Sequence, residues 1–112
     1  MNADNRRTYP RFPLRVFAEI ANSEKEWAAH VLDISYQGAR VALLDDYHLN
    51  EGDTIHLRLE IPDMQSPDGM LPHLHLNGTL VHKQEHILGI RYEPASAQDA
   101  ELLTLLLDRL NT

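Results

Sequence analysis

The chain has 112 residues, 43% apolar and 24% charged, with a formal net charge of −7 at pH 7 and no cysteine. That length allows one domain around one core, and the apolar share excludes a disordered chain. Without cysteine there is no disulfide framework, thiolate zinc site or cysteine nucleophile, and no stretch approaches the ~20 apolar residues of a membrane span.

Residues 1–13 read as an extended arm, because Pro10 and Pro13 lack an N–H and bias the residues before them away from helix. The first seven residues hold no apolar run of the signal-peptide kind, so the expected compartment is the cytoplasm. Arg6, Arg7, Arg11 and Arg15 face only Asp4 within residues 1–15, a balance of +3 that leaves −10 on the rest. A basic arm on an acidic body suits a compact anion. It disfavours general binding to nucleic acid, which needs broad basic surface.

Six strands are expected after the arm. Leu14, Val16, Ala18 and Ile20 alternate with Arg15, Phe17 and Glu19, the period of a half-buried strand. A turn at Asn22-Ser23-Glu24-Lys25 leads to a second strand over about 26–34. After a break at Tyr36-Gln37-Gly38, a third runs over about 39–44. A polar loop over 45–53 precedes the clearest strand, with Ile55, Leu57, Leu59 and Ile61 inward. A loop over 62–72, marked by Pro67 and Asp68-Gly69, leads to Leu74, Leu76 and Leu80 on one face of a fifth strand. A turn near Gln84-Glu85 joins it to the sixth, over 86–92.

Such patterning predicts a mainly β, six-stranded antiparallel barrel or sandwich, and closing the sheet would protect its edges. Beyond Pro94, Ser96 and Asp99 resemble a capping box. Leu102, Leu103, Leu106, Leu107 and Leu110 then recur at helical spacing over about 97–110. This C-terminal helix is expected to pack on the barrel or plug one mouth; Leu105 widens its stripe toward a partner surface.

Two local signatures carry the chemistry. Arg7-Thr8-Tyr9-Pro10-Arg11 is an R-x-x-x-R on the arm, preceded directly by Arg6. Asp33-Ile34-Ser35-Tyr36-Gln37-Gly38 is a D-x-S-x-x-G ending the second strand. Either alone is weak. Taken in this order around the first strand, with Gly89-Ile90-Arg91-Tyr92 in the last strand and a C-terminal helix, they resemble the PilZ domain family over nearly the whole chain. The resemblance implies a PilZ-type barrel over residues 14–112 that binds cyclic di-GMP, with residues 1–13 as a flexible arm that folds over the ligand.

It further implies that Arg7 and Arg11 grip guanine and phosphate, that Asp33 and Ser35 read the guanine edge, and that Gly38 shapes the turn. An arginine at the place of Arg6 tends, in the family, to accompany two stacked ligands per site. The chemistry is consistent with this. A guanidinium fork matches phosphate oxygens and the O6 and N7 acceptors of guanine. A carboxylate and a hydroxyl accept from the guanine N–H groups, and residues two apart in a strand share a face. Asp33 and Ser35 are equally suited to a strand-end turn that bonds local backbone, and Gly38 to a plain hairpin.

The expected role is a non-enzymatic receptor that signals to an effector protein through its rearranged arm. The competing reading is a protein adaptor of the same fold with weak or no nucleotide binding. Seven histidines raise the question of a metal enzyme. His73 and His75 share a strand face, and His82 and His86 flank a turn rather than lie on one helix face; no H-E-x-x-H gathers ligands. Solvated strand histidines and no metal are expected. The chain also lacks a Gly-rich phosphate loop and a G-x-S-x-G elbow. With 6% aromatic residues, an oligonucleotide-binding barrel would lack its stacking platforms.

Overall fold

A computed structural model describes residues 10–61 and 72–111. The elements in chain order are β1 (Phe12–Pro13), β2 (Phe17–Ala21), β3 (Glu26–Ile34), β4 (Gly38–Leu43), β5 (Thr54–Glu60), β6 (His73–Gln84), β7 (Ile87–Pro94) and α1 (Ala97–Leu110). All pairings are antiparallel in the order β1-β3-β2-β5-β6-β7-β4. A further β3–β4 ladder closes six of the strands into a barrel. Closure leaves no edge within the barrel proper.

Alternation builds the core as expected. Ile55, Leu57 and Leu59 of β5, Leu74, Leu76 and Leu80 of β6, and Leu88 and Ile90 of β7 are all buried. Helix α1 caps this interior: Leu103, Leu106 and Leu107 join the same cluster, while Leu105 is 54% exposed. Ser96 is the N-cap, its Oγ accepting from the Asp99 N–H. The Asp99 carboxylate accepts in turn from the His75 backbone N–H at 2.9 Å, which pins the start of the helix to β6. The helix therefore completes the barrel core. Among the described residues no helix is long and apolar enough to cross a membrane.

Two differences from the sequence expectation matter for the site. The first strand, expected from Leu14, starts only at Phe17, while Phe12 and Pro13, read as part of the arm, pair with Ile34 and Asp33 as β1. Pro13 has no N–H to contribute, and the partner strand β3 is irregular here. Secondly, the fifth strand is longer than its apolar alternation suggested and runs to Gln84.

Both β3 and β6 carry a one-residue bulge. Val31 pairs with Val41 but Asp33 with Arg40, leaving Leu32 as the extra residue. Leu80 pairs with Ile90 but His82 with Gly89, leaving Val81 extra. A bulge shifts the phase of everything beyond it.

Candidate functional site

In β3 the residues Trp27, Ala29 and Val31 point inward. Strict alternation would send Asp33 inward too. The extra Leu32 reverses the phase, so that Ile34 is buried and Asp33 stands on the outer face. There two guanidiniums bracket its carboxylate. Arg11 Nη1 donates to Oδ1 at 2.9 Å, and Arg40 Nε donates to Oδ2 at 2.8 Å. Asp33 retains 14% exposure, against 56% for Arg11 and 54% for Arg40.

The two arginines arrive by different routes. Arg40 lies directly across the β3–β4 ladder from Asp33, where opposite charges on one face attract. Arg11 comes from the arm, and the β1–β3 pairing of the two residues after it brings it beside Asp33. The structure thus joins Arg11 to Asp33, two residues 22 apart in sequence. Arg6 and Arg7 lie outside the described residues, as does most of the 62–72 loop with Pro67 and Asp68-Gly69. Sequence reasoning missed Arg40: an outward arginine in a strand reads as solvated, and its partner follows only from the register.

Ser35 and Gly38 bound the turn next to Asp33. The Ser35 N–H donates to the Gly38 carbonyl at 2.8 Å. Ser35 Oγ accepts from the Gln37 and Gly38 N–H groups and donates to the Gly38 carbonyl, each at 3.2 Å. The hydroxyl is 5% exposed with its residue and is engaged by local backbone. Gly38 sits where a Cβ would lie 2.6 Å from the Ile90 carbonyl oxygen, so only glycine lets β4 approach β7 this closely.

The turn is held from two further directions. Tyr92 rises from inside β7 and donates its hydroxyl to the Ser35 carbonyl, with the Gly38 carbonyl 3.1 Å away. Burial pushes the Tyr92 phenol well above its ordinary range, although the bond to Ser35 acts in the opposite direction. Tyr36 reaches Thr104 of α1 at 2.6 Å. Since Thr104 gives its one proton to the Ala100 carbonyl, the Tyr36 hydroxyl is the donor.

Other clusters lie elsewhere. On the outer face of β5 and β6, His56 Nδ1 is 3.0 Å from Asn77 Oδ1 and His56 Nε2 is 3.0 Å from His75 Nδ1. Among the described residues no group of three or more His, Asp or Glu side chains is placed to hold a metal ion. Two open hollows, of about 290 and 580 Å³, are lined by residues other than Asp33. The arginine-bracketed carboxylate stands on the outer face of the barrel and lines neither hollow.

The PilZ domain family model matches residues 5–109. No curated protein matches the chain. The solved structures that share its fold include these three. The PilZ domain of YcgR from Escherichia coli, solved with c-di-GMP, is 16% identical with a TM-score of 0.70, over 95% of this chain and 92% of that one. The PilZ domain of CeSA from a cellulose-synthesizing bacterium is 18% identical with a TM-score of 0.68, over 91% and 98%. MotI/DgrA, an inhibitor of motility from Bacillus subtilis, is 18% identical with a TM-score of 0.70, over 96% of this chain. The chain spans about half of that protein, 52% of its length. With its closed six-stranded barrel, C-terminal helix and family match over residues 5–109, the chain belongs to the PilZ domain family.

Proposed function

We propose that the chain is a cyclic di-GMP receptor that signals to a partner protein through its N-terminal arm. The observation that carries this reading is the contact between Arg11 of the arm and Asp33 of the sheet, beside the turn closed by Gly38. An arm arginine within reach of a base-reading carboxylate is what a folding-over arm requires. The similar YcgR domain, solved with c-di-GMP, supports the choice of ligand.

Ordering about six arm residues costs on the order of 6–12 kcal/mol, while one arginine–guanine pair returns ~1–3 kcal/mol of discrimination. Several charge-assisted bonds must act together, which puts the expected affinity near micromolar, about −8 kcal/mol. Arg6 and Arg7 are proposed to join Arg11 on the ligand, with Arg6 favouring two stacked molecules. The output is a moved arm and an altered surface for an effector.

One observation favours the adaptor reading. Both Asp33 oxygens already hold an arginine, and the Ser35 hydroxyl is engaged by its own turn. Calorimetric titration with cyclic di-GMP, with GTP and cyclic AMP as controls, separates the two. The receptor reading expects selective binding that Arg7→Ala and Arg11→Ala each weaken at least tenfold, with a flatter salt dependence. Affinity retained in both variants would refute it.

A further inference from the structure

Register and exposure gather an apolar wall on the outside of β2, β3, β4 and the start of β7. Phe17 pairs with His30, His30 with Ala42 and Ala42 with Ile87, and all four stand on the outer side of their strands. Phe17 meets the His30 ring edge-on, with centroids 6.1 Å apart. Two residues farther along β3, the Ala28 carbonyl accepts from the Leu44 N–H, which sets Leu44 beside outward Ala28. Phe17, Leu44 and Ile87 are three of the six exposed large apolar side chains among the described residues. Apolar residues scattered singly over a surface need no explanation, but a concentration on one wall marks a contact surface.

Charge is divided between the two ends of this wall. At one end stand Arg11, Arg15 and Arg40, against the single carboxylate of Asp33. Arg15 is exposed, and it lies on the same side as Phe17 because Val16 between them is buried. At the other end, just past Leu44 and just before Ile87, stand Asp45, Asp46 and Glu85, all exposed. Asp46 lies 3.6 Å from His86, and none of the three meets a lysine or arginine among the described residues. The wall is thus basic at one end, apolar between and acidic at the other. Arg40 and Leu44, four residues apart, span about 13 Å along it, and Phe17 and Ile87, three strand spacings apart, roughly 14 Å across it.

We infer that this wall binds a second copy of the chain across a two-fold axis that passes close to Ala42. Such an axis turns one copy end for end. The apolar centres then meet, and each basic end lies on the acidic end of the other copy, as a self-complementary patch requires. The net charge of −7 opposes the association. At about 0.1 M salt that long-range repulsion is screened beyond ~10 Å, whereas opposite charges in contact across the wall are not, so the local pairs win. The wall is small beside the ~800 Å² per partner of a standard interface. The dimer is therefore a weak one that forms at high protein concentration.

The test is sedimentation equilibrium of the full chain at about 0.1 M salt, over roughly 10 µM to 1 mM protein. No nucleotide is added, so the outcome is independent of the receptor reading. A monomer–dimer equilibrium is expected. Ala42→Glu sets two carboxylates against each other near the axis; it is expected to weaken the dimer at least tenfold and to keep the unfolding temperature within a few degrees. Arg15→Glu and Asp45→Arg are each expected to weaken it by roughly tenfold, since the two-fold axis doubles each change. An equimolar mixture of those two variants is expected to recover association, because each supplies the charge that the other has reversed. If Ala42→Glu does not fold, the charge variants decide alone. A wild-type chain that stays monomeric throughout overturns the inference and leaves the wall to a different protein. A dimer that a folded Ala42→Glu leaves intact, or a mixture that gains nothing over its components, overturns it equally.

Discussion

The Tyr92 hydroxyl reaches the Ser35 carbonyl from the interior of the barrel, so a buried group supports the turn that follows outward-facing Asp33. Removing it in Tyr92→Phe leaves the Ser35 carbonyl without this donor, a loss of about 1–3 kcal/mol, read as a lower unfolding temperature. The variant should also weaken ligand binding by loosening the turn. An alkaline signature accompanies this. In the unfolded chain a tyrosine ionises near pH 10, whereas burial makes folded Tyr92 keep its proton to higher pH. Above about pH 10 the unfolded state thus binds fewer protons than the folded one, and stability falls as pH rises; below that its contribution is fully present. Unfolding midpoints measured across the alkaline range should decline less steeply in Tyr92→Phe than in the wild type.

Residue identities were legible in uneven measure. Arg11, Asp33, Ser35 and Gly38 announced themselves through spacing, and the structure brings Arg11 to Asp33. Arg40 did not, because its place beside Asp33 depends on register. Register here is set by bulges at Leu32 and Val81, whose side chains carry no sequence mark of a bulge.

At the scale of elements, long periodic segments were readable and interruptions were not. The period-2 runs of β2 and β5 and the leucine spacing of α1 reflect burial on one face, which composition records directly. The two-residue β1 is too short to show a period, and β6 loses its alternation at the bulge. The contact between β4 and β7 shows what such local geometry demands. A Gly38→Ala methyl would lie 2.6 Å from the Ile90 carbonyl oxygen, a backbone atom that cannot swing aside. The strands must separate, at a cost of about 1–3 kcal/mol. Because the Ser35–Gly38 turn opens onto that contact, Gly38→Ala should lose cyclic di-GMP affinity along with stability. Parallel unfolding and binding measurements on this variant check both losses.

For the molecule as a whole, the question is whether barrel and helix unfold together. The sequence left α1 open between packing on the barrel and serving a partner, since a leucine stripe suits either. Leu103, Leu106 and Leu107 lie in one cluster with residues of all six barrel strands, and Asp99 ties the first turn to β6. Tyr36 joins the site turn to Thr104 on the same helix. A helix so placed closes the core and cannot leave without exposing it. Leu103 is fully buried, so Leu103→Ala removes side-chain contacts and leaves a cavity, a loss of about 2–5 kcal/mol. In a domain of this size that lowers the unfolding temperature by roughly 4–8 °C per kcal/mol. The barrel and helix signals, followed by near- and far-ultraviolet circular dichroism, should shift together in one transition. An early helical transition with the barrel signal unmoved would show instead that α1 is an appendage, and that the Tyr36–Thr104 contact joins the turn to a separately melting element.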